Sequence, residues 1–175
     1  MLEPDISGLI ILVPEADFLR QACTNLLPPD ARQSVAAHIT LLFPFLPLQS
    51  LNAALLAELE TLFRSHPAFA YTLTHVGRFK EAIYLTPEPE QPFVDLIADL
   101  TAHFPECQPY GGKFTKITPH LTVVQAQDPT FLDNIEKEAV QLCKHELPLH
   151  LEAREVTLVV RQAGVWSQRA VFSLG

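Results

Sequence analysis

The chain has 175 residues, 48% of them apolar and 18% charged, and its 12 basic and 20 acidic residues give a formal net charge of −8. That length and apolar share point to one domain with a substantial core and exclude disorder and low complexity. The acidic balance excludes broad, charge-driven binding of long nucleic acid, which calls for a basic face, while leaving room for a small phosphate pocket. No apolar run is long enough to span a membrane, and the acidic start Met1-Leu2-Glu3-Pro4-Asp5 lacks the basic region of a signal peptide. A soluble, cytoplasmic, monomeric protein is the expectation. Cys23, Cys107 and Cys143 are odd in number and widely spaced, with no zinc-ligand pattern, so reduced thiols and no metal are expected.

In chain order, the short Ile-rich run over 6–13 reads as a buried strand that Pro14 ends. A helix over 15–27 follows, with Phe18, Leu19, Ala22 and Leu26 on its inner face, until Pro28-Pro29-Asp30 breaks it. Residues 36–43 form a strand stopped by Pro44. Residues 51–66 form a helix with the stripe Leu51, Leu55, Leu59, Leu62 and Phe63, and Ser50 is its expected N-cap. A hairpin spans 69–86, turning at 77–81. Pro92 opens a helix to Phe104 with Phe93, Leu96, Ile97 and Leu100 inward. A loop with Tyr110-Gly111-Gly112-Lys113 leads to the strand after Pro119. Asp128-Pro129 reads as cap and first helical position of a helix to about Lys144. One strand is expected over 149–160, then a turn at Ala163-Gly164 and a last strand over 165–174.

Two of these strands carry the chemistry. Ala37-His38-Ile39-Thr40-Leu41 and Pro119-His120-Leu121-Thr122-Val123 both have the form His-apolar-Thr. Alternation along a strand puts each imidazole and hydroxyl on one face and the aliphatic residues on the other. Each motif follows a strand and a helix, and Leu12-Val13-Pro14-Glu15 resembles Leu85-Thr86-Pro87-Glu88. The order strand, helix, His-x-Thr strand, helix, returning strands therefore occurs twice. Two such lobes closing about a pseudo-twofold axis would set the motifs face to face. One lone histidine in a strand is usually structural, but the duplication makes His38, Thr40, His120 and Thr122 the candidate catalytic residues. A pair of imidazoles can divide acid and base work near neutral pH, and the hydroxyls can donate to oxygens on which charge builds.

With these motifs the sequence resembles the 2H phosphoesterase superfamily, in particular its branch of 2′-5′ RNA ligase family proteins. Tyr110-Gly111-Gly112 and the ending Trp166…Phe172-Ser173-Leu174-Gly175 support the likeness, which covers essentially the whole chain. The resemblance implies an α/β (α+β), bilobal, duplicated fold, with two antiparallel sheets and outer helices around a central cleft. It implies metal-independent, cofactor-free hydrolysis of 2′,3′-cyclic phosphates or related small phosphodiesters, with His38 as acid on the leaving oxygen and His120 as base on water. Phe43-Pro44-Phe45 stands where tRNA-ligase-like members continue into Phe-Leu-Gly, and Gln125 where they often carry Arg. With the acidic charge, these departures point to a small nucleotide. The competing readings are a 2′-5′ RNA-end ligase or cyclic phosphodiesterase on RNA, a non-catalytic nucleotide-binding module, and a structural or interaction protein.

Around the motifs, Lys113 and Lys116 are candidate phosphate contacts, set against the plainer reading of a solvated loop. Tyr110, Phe43, Phe79 and Phe114 are candidates to stack on a base, set against core packing. Arg78 and Arg161 are weaker candidates. His66, His75, His103, His145 and His150 read as unpaired surface residues, His145 standing at a helix C-terminus.

Overall fold

The computed structural model describes residues 5–32 and 35–175; the acidic start over 1–4 lies outside them. In chain order the elements are β1 (Ile6–Leu12), α1 (Asp17–Thr24), β2 (His38–Leu42), α2 (Ala53–Arg64), β3 (Phe69–Phe79), β4 (Ala82–Glu88), α3 (Gln91–His103), β5 (Leu121–Gln125), α4 (Pro129–Glu146), β6 (Leu149–Ala153), β7 (Glu155–Gln162) and β8 (Val165–Ser173). The expected two sheets are joined edge to edge. They form one eight-stranded antiparallel sheet in the order β6-β3-β4-β5-β2-β1-β7-β8. The order is symmetric about the β5–β2 junction, where Ile39 pairs with Leu121. Strand β1 corresponds to β4, β7 to β3 and β8 to β6.

The returning strands cross between the halves. After α2 the chain enters the far half as β3, pairing with β4 and β6, and it comes back only as β7 and β8. The strand expected over 149–160 is therefore two strands that break at Arg154 and lie in opposite halves of the sheet. The carbonyl of Arg154 accepts from the Leu174 N–H at 2.8 Å, so it pairs with the chain end at the crossing.

Apolar periodicity places the helices against one face. Helix α1 packs on β5 and α4, α3 on β2, α2 on β8, and α4 on β3 and β4. The predicted stripes of α2 and α3 are buried. Two local expectations are corrected. The chain extends past a 3-10 turn over Leu48–Ser50, so Asn52, not Ser50, caps α2, its Oδ1 accepting from the Leu55 N–H at 3.0 Å. A 3-10 turn over Pro14–Ala16 precedes α1 and shifts its phase, leaving Phe18 51% exposed and burying Arg20 and Thr24 beside Leu19 and Cys23. Asp128 caps α4 as expected, accepting from the Thr130 N–H at 2.9 Å. All three cysteines are free and buried. Among the described residues no helix is long and apolar enough to cross a membrane.

Phe93 of α3 is fully buried and meets Phe69 and Tyr71 of β3 edge-on at 5.0 and 5.1 Å. Phe93→Ala should remove that contact and leave a cavity, lowering stability by about 3–5 kcal/mol in urea denaturation.

Candidate active site

Strand alternation fixes the orientation of both motifs. Ile39, Leu41, Leu121 and Val123 are each at most 1% exposed, against the core. His38, Thr40, His120 and Thr122 are half-buried on the opposite face. Antiparallel continuation from the Ile39–Leu121 pair sets Thr40 across from His120 and His38 across from Thr122. The four side chains that sequence periodicity singles out thus lie together on two neighbouring strands.

Each ring is held in the same way. Nδ1 of His38 donates to the carbonyl of Ala36 at 2.8 Å, and Nδ1 of His120 to that of Thr118 at 2.7 Å. A carbonyl only accepts, so the proton sits on Nδ1, and Nε2 is the nitrogen that can exchange a proton with a ligand. Burial pushes both imidazoles below the ordinary histidine pKa, opposed by these carbonyl bonds. The positive charges of Arg20 and of a protonated His120 push His38 further down, while Asp17 pulls it up. Without a ligand both rings favour the neutral form, and a bound anion would favour protonation.

The surroundings of the two rings differ. His120 lies edge-on to Phe79 at 5.0 Å and to Tyr84 at 5.3 Å, and those two rings stack at 4.1 Å. Tyr84 pairs across the sheet with Thr122 on one side and Gly77 on the other. Its ring lies over Gly77, where a Cβ would collide with it. His38 instead has Arg20 and Asp17 of α1 nearby, and Asp17 Oδ1 accepts from the Ala37 N–H at 2.6 Å.

Tyr110 also reaches the site. Its hydroxyl lies near the Thr40 side chain, and burial raises its pKa against the opposing influence of Thr40. The Tyr110 N–H donates to the Phe43 carbonyl at 2.6 Å. Tyr110, Gly111 and Gly112 all have positive φ, of 53°, 64° and 73°, and two successive glycines make that turn sterically permissible. Phe43 lies against Gly8, with its ring 6.0 Å from that of Trp166. Lys113, Phe114 and Lys116 are exposed on the loop after Tyr110. Arg78 forms an ion pair with Asp133 at 2.6 Å, and Arg161 lies over Trp166.

The remaining histidines have partners, contrary to expectation. His66 is bonded to Asp99 at 2.8 Å with its side chain only 17% exposed, and His103 bonds the Asp99 carbonyl. His75 lies by Glu88, His145 by Glu146 and His150 by Thr72. Among the described residues no group of three or more His, Cys, Asp or Glu gathers as metal ligands.

Sequence reasoning missed Tyr84 and Arg20. Tyr84 was accessible through alternation, since Ile83 and Leu85 point to the core on either side of it. Arg20 could be found only from the true phase of α1.

The fold is shared with solved structures, and the sequence matches a known family. The model of the 2′-5′ RNA ligase superfamily matches residues 14–165. The chain belongs to that superfamily. Among solved structures it is similar to the TT0787 protein of Thermus thermophilus, with TM-score 0.67 and 21% identity over 97% of each chain. It is also similar to E. coli LigT complexed with 3′-AMP, with TM-score 0.60 and 18% identity over 98% of this chain and 99% of that one. A crystal structure of a phosphoesterase matches with TM-score 0.59 and 19% identity over 98% and 99%. No curated protein matches the chain.

The depressed imidazoles have a thermodynamic consequence. The unfolded chain takes up protons near the ordinary histidine pKa of about 6.5, before the folded one does. Their contribution to stability is therefore lost as pH falls below that value. Urea denaturation from pH 7.5 to 5.5 should show this loss, and His38→Asn/His120→Asn should flatten it.

Proposed function

We propose that this protein is a metal-independent phosphodiesterase that opens 2′,3′-cyclic phosphates or similar small phosphodiesters by two-histidine acid–base catalysis. One observation carries the reading. Two imidazoles on one sheet face each have Nδ1 tied to a carbonyl and Nε2 left for proton exchange, each beside a threonine.

The phosphodiester anion enters between the rings and raises the proton affinity of both, so that one becomes protonated. Nε2 of His120 takes a proton from water as the water oxygen bonds to phosphorus. The bond from phosphorus to one ribose oxygen breaks, and protonated His38 gives its proton to that oxygen. One water is consumed, and the two histidines exchange protonation states, which solvent resets. Thr40 and Thr122 donate hydroxyl hydrogen bonds to the non-bridging oxygens, and Tyr110 orients Thr40. The base stacks on the Phe79–Tyr84 ledge, Phe43 and Tyr110 border the sugar, and Lys113 or Lys116 supplies a cation from its loop. The scheme calls for no metal. That a structure of LigT holds 3′-AMP, a nucleoside monophosphate such as this reaction would release, supports the substrate class.

The family name favours a second reading, action on an RNA end. The net charge of −8 weighs against it, and a steep salt dependence of RNA affinity would be its mark.

Phosphorus NMR with a panel of 2′,3′-cyclic nucleotides in EDTA tests the proposal. Wild-type protein should turn them over, and His38→Ala and His120→Ala should each lower kcat/KM by about 10²–10⁴ with the circular dichroism spectrum unchanged. Unchanged turnover in either variant removes the mechanism. With both imidazoles depressed, the kcat/KM optimum should fall below about pH 6.5, since that profile reports the free enzyme's pKa values; a stopped pH series would show it.

A further inference from the structure

A cleft of about 340 Å³ lies next to His38, walled by Asp17, Arg20, Gln21, Thr24, Arg32 and Ala36, among others. Its lining reaches the start of the first motif through Ala36, two residues before His38. The Ala36 carbonyl in its wall is the one that holds His38 Nδ1 at 2.8 Å, and the next residue, Ala37, is tied to Asp17.

Its wall is polar and cationic. Arg20 is only 9% exposed. The guanidinium of Arg32 is pinned at the cleft, Nε donating to the Leu27 carbonyl at 2.9 Å and Nη2 to that of Asn25 at 2.8 Å. Asp17 offsets one of the two positive charges, and the Thr24 and Gln21 side chains add polar groups without charge. The cleft thus keeps a net positive charge in a chain whose total is −8. Guanidinium groups match phosphate oxygens in geometry and charge. The two rings have chemically distinct neighbours, aromatic rings at His120 and the Arg20 guanidinium at His38.

We propose that this cleft binds a second phosphate of the substrate, on the 5′ side of the nucleoside whose cyclic phosphate is opened. The inference rests on the phosphodiesterase reading. It orients the substrate with its base at Phe79 and Tyr84, its cyclic phosphate between the histidines and its 5′ phosphate at Arg20 and Arg32.

The test compares kcat/KM of the wild-type protein for three substrates. These are adenosine 2′,3′-cyclic phosphate, the same compound with a 5′-phosphate, and a diadenosine nucleotide ending in the cyclic phosphate. The 5′-phosphorylated compound should gain about tenfold to a hundredfold over the first, mainly through KM, the scale of hydrogen bonds to charged groups. In Arg32→Gln and in Arg20→Gln the ratio of the two values should fall towards one. Each variant is its own control, so partial loss of folded protein does not mimic the result. An equal gain with the dinucleotide assigns the cleft to an internucleotide phosphate, and a gain confined to the monophosphate assigns it to a terminal one. Equal kcat/KM for all three substrates overturns this inference and leaves the phosphodiesterase reading intact. No turnover of any substrate removes that reading instead. Calorimetry with adenosine 3′,5′-bisphosphate against 3′-AMP then decides the cleft, and equal affinities for wild-type protein overturn it.

Discussion

The pairing of Ile39 with Leu121 is the constraint on which the rest of the molecule depends. It is where the two half-sheets meet, and it sets the His-x-Thr motifs beside each other. A slip of either strand by one residue would turn its two polar side chains into the core and expose its two aliphatic ones, Ile39 and Leu41 or Leu121 and Val123. Burying each of those aliphatic side chains contributes about 1.5–3 kcal/mol. Two together come to about 3–6 kcal/mol, a large share of the stability of a typical domain, about 5–15 kcal/mol. The register that assembles the site is therefore held by the hydrophobic core beneath it, and the polar face bears little of the load.

A fold built from two like halves must still make two histidines different if they are to take different roles. The backbone treats them identically, with Nδ1 bonded to the carbonyl two residues back in each case. The difference comes from neighbouring elements. The β3–β4 hairpin brings aromatic rings to His120, and α1 brings a guanidinium and a carboxylate to His38. Pairs of titratable groups in unlike environments are how acid and base roles separate.

What was legible in the sequence was local. Alternation revealed the faces of both His-x-Thr strands, 3.6-residue spacing revealed the stripes of α2 and α3, and Asp128-Pro129 marked a helix start. What was missed depends on neighbours distant in sequence or on small phase shifts. The 149–160 segment has no Gly or Pro to mark a break, yet its inward residues change parity from Leu149, Leu151 and Ala153 to Val156, Leu158 and Val160. That change is the trace of the crossing at Arg154. The duplicated order was visible, but not that the returning strands exchange halves, because strand partners are set by the whole sheet. Phe18 was misplaced and Arg20 passed over because a 3-10 turn, with three residues per turn instead of 3.6, rotates the helix that continues from it.

The crossing of the returning strands bears on how the site is held. One half-sheet is built from both ends of the chain, β1 and β2 with β7 and β8, and the other from its continuous middle, β3 to β6. Helix α1, which carries Arg20, packs on β5 of the opposite half. The chain passes between the halves at α2 to β3 and at β6 to β7, so these two connections and the packing of α1 on β5 help the β2–β5 pairing hold the spacing between the two imidazoles. A rigid separation suits in-line displacement, in which the attacking and leaving oxygens lie on opposite sides of phosphorus and small misplacements of either proton-transfer group are costly.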